Sequence, residues 1–134
     1  MTVAKTETLP LQIEQDVVMA RQAVRKLSQE AKFSLVDQTK MVTAASELAR
    51  NTLIHGHGGE MTWELIQEGL RTGVRLAFVD KGPGIPNIEV AMMDGWTSGS
   101  GLGMGLPGTK RLVNEFEIES QVGRGTRVVI TRWK

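Results

Sequence analysis

No cysteine occurs in the 134 residues, which excludes disulfides and thiolate catalysis and leaves any metal site to oxygen or imidazole ligands. No apolar run approaches the roughly 20 residues that span a bilayer, so no membrane partner is expected. The opening residues MTVAKTETLPLQ carry no hydrophobic region of the signal-peptide kind, and a cytoplasmic location is expected. An excess of one charge is missing too: 16 Lys and Arg against 15 Asp and Glu leave +1, with the signs mixed. That balance offers no basic footprint for nucleic acid. Repeats, low-complexity tracts and linkers are also missing, and the length suits a single domain, 1–134, with a core of its own.

What the chain has in excess is concentrated in one place. Eight of the fifteen glycines and three of the four prolines fall between Asp80 and Gly108, in DKGPGIPNIEVAMMDGWTSGSGLGMGLPG. Glycine is used where backbone takes positive φ or approaches a ligand closely. Gly101-Leu-Gly-Met-Gly105 then feeds the helix-like run TKRLVNEF through Leu106 and Pro107. A glycine loop ahead of a helix N-terminus offers unpaired N–H groups to a phosphate chain. Gly103-x-Gly105-x-x-Gly108 resembles a dinucleotide fingerprint, but turn formers precede it where a strand is required. A P-loop is excluded because Thr109-Lys110 stands where Lys-Ser/Thr is needed, and no protein-kinase VAIK, HRD or DFG sequence occurs. What remains is a pair of motifs, Asp80-x-Gly82-x-Gly84 and Gly101-x-Gly103-x-Gly105, on either side of a hinged segment.

Taken in order, residues 1–9 are polar and expected to be flexible, and Leu9–Ile13 alternates like a short strand whose Pro10 places it at an edge. From Asp16, Val17, Ala20, Val24, Leu27 and Ala31 recur at steps of 3 and 4 and make one helical face. A second helix is expected from Ser34–Asp37 to about His55, burying Met41 or Val42, Ala45, Leu48, Ala49 and Thr52. Strands follow at 60–67 and 74–79, joined by a hairpin, and the second delivers Asp80 at its end. A helical turn in Asn87–Asp94, a third helix at Leu106–Glu115 and strands at 116–120 and 126–132 complete the pattern. Two helices before a mostly antiparallel sheet, with another inserted, predict a two-layer α+β sandwich: a mixed sheet covered on one face by helices.

Glu47 and Asn51 lie four apart, so their side chains share a helix face away from the buried stripe. By themselves they fit a solvated outer face. They also fit a carboxylate and an amide oxygen aimed at a metal–triphosphate, since Mg²⁺ takes oxygen ligands and leans on substrate phosphates. The downstream glycine loop favours the second reading. His55 and His57 flank Gly56, but without further imidazole partners they read as a plain helix terminus. Met92, Met93 and Met104 suit adaptable packing in a moving segment or ordinary core filling.

Glu47-Leu-Ala-Arg-Asn51, Asp80-Lys-Gly-Pro-Gly84, Gly101-Leu-Gly-Met-Gly105 and Gly125-Thr126 resemble, in order, the N box and glycine boxes of the GHKL, or Bergerat, ATP-binding fold of gyrase, Hsp90, MutL and histidine kinases. Within it, SELARN, DKGPGIP and DGWTSGSGLGMGLPGTKRLVNEF look most like the RsbT-type serine/threonine switch kinases of bacterial partner-switching stress pathways. The resemblance implies that Glu47 is the general base and that Asn51 ligates Mg²⁺. It implies that Asp80 accepts a hydrogen bond from the adenine amino group of ATP, supported through water by Thr126. Gly82, Gly84 and Ile85 would pass the base, while Gly101, Leu102, Gly103, Met104, Gly105 and Leu106 would line the phosphates. The implied substrate is a serine or threonine on a STAS-domain antagonist protein, with a downstream phosphatase as a second partner and a homodimer as a further expectation. The alternative is a non-catalytic, nucleotide-gated anti-sigma factor that sequesters its target, which Glu47 weighs against. No Lys or Arg occurs between Gly82 and Thr109, and Ser98-Gly99-Ser100 stand where some relatives are expected to carry an arginine. Phosphate charge is then left to Mg²⁺, backbone N–H groups and the helix end, with Lys110 and Arg111 the nearest cations.

Overall fold

Asp16 closes the first helix by side-chain chemistry: its Oδ2 accepts the N–H groups of Gln12 at 2.8 Å and Ile13 at 3.1 Å. In the computed structural model, which describes residues 1–93 and 105–134, that helix is α1 (Glu14–Glu30). It follows strand β1 (Thr2–Leu11) and precedes α2 (Leu35–Ile54). Ser34 caps α2 by accepting the Asp37 N–H at 3.1 Å. The expected stripes hold: Val17, Ala20, Val24, Leu27 and Ala31 of the first helical run, and Met41, Val42, Ala45, Leu48, Ala49 and Thr52 of α2, are all buried.

The rest of the described chain is β2 (Gly59–Glu68), β3 (Arg71–Asp80), α3 (Ile88–Ala91), α4 (Gly105–Arg111), β4 (Glu115–Gln121) and β5 (Gly125–Trp133). The sheet runs in the order β1-β2-β3-β5-β4, and all four pairings are antiparallel, so nothing parallel is mixed in among the described residues. Register puts Met61, Phe78 and Val128 in one row and Trp63, Leu76 and Ile130 in the next. These rows pack with the helix stripes into one core, giving the expected two layers. No described helix is long and apolar enough to cross a membrane.

Three boundaries differ from expectation. Residues 2–9 are strand rather than loose chain, running from Thr2 opposite Gln67 to Leu11 opposite Gly59, with an irregularity between Val3 and Lys5. Backbone pairing recruits this edge strand, since its side chains stay exposed as far as Thr8, whose hydroxyl meets that of Thr62 at 2.8 Å. Ile13 is not strand but the N-cap of α1. The third helix stops at Arg111, four residues early, because the Asn114 N–H donates to Thr131 O at 2.9 Å and strand pairing takes over.

Arg132 fastens the layers together at one end. Its Nη2 donates to Asp37 Oδ1 at 2.6 Å and its Nη1 to Leu112 O at 2.9 Å, joining β5 to the start of α2 and the end of α4.

Candidate functional site

Strand β3 ends on Asp80, whose two carboxylate oxygens have separate environments. Oδ1 accepts the N–H of Gly82 at 2.9 Å and that of Thr126 at 3.3 Å. No described residue donates to Oδ2, which lies against Gly56: a Cβ built there would sit 2.5 Å from it. Gly56 follows the end of α2, where its N–H and that of His55 both reach Asn51 O, at 3.1 and 2.9 Å. The chain turn after α2 and the strand end of β3 thus make one wall.

A cavity of about 90 Å³ opens beside this wall. Leu48, Phe78, Ile85, Leu106 and Val128 supply its apolar lining. Asn51, His55, Asp80 and Thr126 supply the polar groups, and Thr52, Gly56 and Gly84 complete the surface. An apolar slot with one convergent carboxylate is the usual chemistry of a small-molecule site. An unpartnered carboxylate oxygen among apolar walls suits an N–H donor on a flat ring, as an adenine amino group provides, so the residues fit that group.

The sequence-derived candidates divide as follows. Asn51, Asp80, Gly84, Ile85, Leu106 and Thr126 come together around the cavity. Gly84 sits at φ 78°, and a Cβ on it would strike the backbone carbonyl of Gln121, so only glycine passes there. Gly82 is not in the lining; it packs against the backbone of Gly56 instead. Glu47 is half-buried one turn before Asn51 on α2 and also lies outside the lining. Gly105 begins α4, again outside the lining, whereas Gly101, Leu102, Gly103 and Met104 fall outside the described residues. So do Trp96 and Ser98–Ser100.

Among the described residues no group of three or more His, Asp or Glu could hold a metal ion unaided. Asn51 brings one amide oxygen to the cavity, which suits an ion that takes most of its ligands from phosphates and water.

Besides the lining residues Leu48, Thr52, Gly56, Phe78 and Val128, two residues with side-chain chemistry at the site were missed. His55 caps α2 as expected of a helix terminus, yet it also lines the cavity one turn beyond Asn51. That i,i+4 spacing was the available signal. Ser120 on β4 stands directly opposite Thr126 on β5, with the two hydroxyls 2.7 Å apart. Its signal was the register of the hairpin around Val122-Gly-Arg-Gly125.

The family described as histidine kinase-, DNA gyrase B- and HSP90-like ATPase matches residues 36–134. The serine/threonine-protein kinase RsbT of Bacillus subtilis strain 168 is 42% identical over 120 residues, 90% of each chain. An anti-sigma F factor of Clostridium beijerinckii is 33% identical over 124 residues, covering 84% of this chain and 82% of that one. In three dimensions the chain resembles the solved RsbU and RsbW domains of a Mycobacterium tuberculosis protein, with a TM-score of 0.66 and 21% identity. That match covers 96% of this chain and 32% of the longer one, and speaks for the fold alone. The order of motifs, the antiparallel sandwich and these matches agree: the chain belongs to the histidine kinase-, DNA gyrase B- and HSP90-like ATPase family.

Proposed function

We propose that this chain is an ATP-dependent protein serine/threonine kinase of the RsbT type, acting as a partner-switching regulator. The observation that carries the reading is Asp80, with one oxygen held by two backbone N–H groups and the other without a donor among the described residues, at an apolar cavity. A carboxylate fixed in that way accepts from the amino group of adenine, while Ile85, Leu106 and Val128 sandwich the ring. Asn51, at the cavity's edge, is the ligand for Mg²⁺, which neutralises phosphate charge when bound. Gly101, Leu102, Gly103, Met104 and Gly105 supply phosphate contacts on this reading.

Glu47 is assigned as general base because it sits half-buried one helical turn from Asn51. It takes the proton from the substrate hydroxyl as that oxygen attacks the γ-phosphorus, and ADP leaves. The hydroxyl belongs to a serine or threonine of a STAS-domain antagonist, and the released kinase binds and activates a phosphatase. This chemistry uses ATP and a protein substrate in the cytoplasm, and a homodimer is its proposed assembly.

The 33% identity to an anti-sigma F factor favours a second reading, a nucleotide-gated protein that sequesters a sigma factor. One experiment separates the two. The protein is incubated with γ-labelled ATP, Mg²⁺ and a STAS-domain protein, and the phosphosite is mapped. Label on one serine or threonine, lost when that residue is changed to Ala, is expected. ATP binding with no transfer would leave the sequestering reading.

A further inference from the structure

We propose that Ser120 is a positioning residue that sets base selectivity by turning the hydroxyl proton of Thr126 away from the cavity. The inference deepens the nucleotide reading above and rests on it.

The argument is a count of protons. Ser120 Oγ lies 2.8 Å from the Ile85 N–H, 3.1 Å from Gly125 O and 2.7 Å from Thr126 Oγ1. The amide can only donate and the carbonyl can only accept. Ser120 has a single hydroxyl proton; assigning it to Gly125 O, the neighbour that can only accept, satisfies all three contacts at once. In that assignment the Thr126 hydroxyl donates to Ser120, whose two lone pairs are filled by Thr126 and Ile85. Thr126 therefore presents only lone pairs to the cavity it lines.

The consequence is a polar end made of acceptors. Asp80 Oδ2 has no donor among the described residues, and Thr126 Oγ1, in that assignment, spends its proton on Ser120. In direct contact such an end accepts from the exocyclic amine of adenine and offers no proton to the carbonyl that guanine carries there. Ser120 touches no ligand itself; it lies outside the cavity lining and acts through Thr126 and Ile85.

Calorimetry with ADP and GDP tests this without any protein substrate. Ser120→Ala frees the Thr126 proton to rotate inward, so GDP binding should strengthen while ADP binding weakens. The ADP-to-GDP affinity ratio should fall about tenfold, the weight of one buried hydrogen bond. Ser120→Thr keeps the hydroxyl and should restore the wild-type ratio. If Ser120→Ala does not fold, Thr126→Val, which removes the same acceptor, must lower the ratio instead. A purely structural serine would weaken both nucleotides equally and leave the ratio alone, and that result overturns the proposal. Wild-type protein that binds no ADP overturns the nucleotide reading together with this one. Wild-type binding with an unaltered ratio in Ser120→Ala overturns this one only.

Discussion

The carboxylate of Asp80 and the α-carbon of Gly56 share a space that admits one of them only in its present form. A methyl group on Gly56 would overlap the Asp80 carboxylate, coming within 2.5 Å of both Cβ and Oδ2. The residue that ends a helix and the residue that ends a strand are therefore mutually exclusive in size. Gly56→Ala should move the carboxylate and weaken ADP binding by about tenfold or more, as expected when a buried charged hydrogen bond is lost. Calorimetry measures it, and unchanged affinity in a folded variant would mean that the carboxylate does not hold the ligand.

Glu47 and Asn51 should separate chemistry from binding. Glu47→Gln is expected to bind ADP like wild type and to lose roughly 10²–10⁴-fold in phosphoryl transfer, the usual weight of a general base. Asn51→Ala should lose the Mg²⁺ dependence of nucleotide affinity. Transfer by Glu47→Gln within a few-fold of wild type would remove the base from the mechanism.

Asp37 and Arg132 carry a stability prediction unrelated to nucleotide. Their side chains are 28% and 15% exposed, and the Arg132 Nε has no partner among the described residues. Asp37→Ala removes the charge partner of a half-buried guanidinium and should cost about 1–3 kcal/mol in chemical denaturation. A change below a few tenths would show that solvent replaces the carboxylate freely.

Removal of residues 1–8 tests the first strand. Every pairing of β1 is to β2, so losing Thr2–Thr8 exposes the β2 edge from Thr62 to Gln67. The shortened chain should melt several degrees lower and aggregate more readily. Equal melting temperatures would make this strand a passenger.

Much of the fold was legible because burial repeats at a period. Val17 through Ala31 and Met41 through Thr52 announce their helices by 3- and 4-residue steps, and Ser34 announces a cap. Beyond Leu9–Leu11 the first strand was not legible, since Thr2, Lys5, Thr6, Glu7 and Thr8 bury nothing and join the sheet mainly through backbone pairing. The end of α4 was hidden for a related reason: Asn114 leaves the helix for a partner on β5, seventeen positions away. At the site, Asn51, Asp80, Gly84, Ile85, Leu106 and Thr126 were visible as motif residues. Ser120 was not, because its bond to Ile85 spans 35 positions and no motif marks it.

Arg132 holds the carbonyl of Leu112 just beyond the last turn of α4, while Leu106 in the first turn lines the cavity. One end of this short rod is pinned to the sheet and the other faces the ligand. If α4 adjusts to a nucleotide, this attachment predicts a tilt about Leu112 and not a slide along the sheet. Arg132→Lys, which cannot bridge Asp37 and Leu112 in the same fork, would loosen the fulcrum and blur the tilt. Amide exchange at Leu112 and Val113, read with and without ADP, distinguishes a fixed pivot from a helix that moves as a whole.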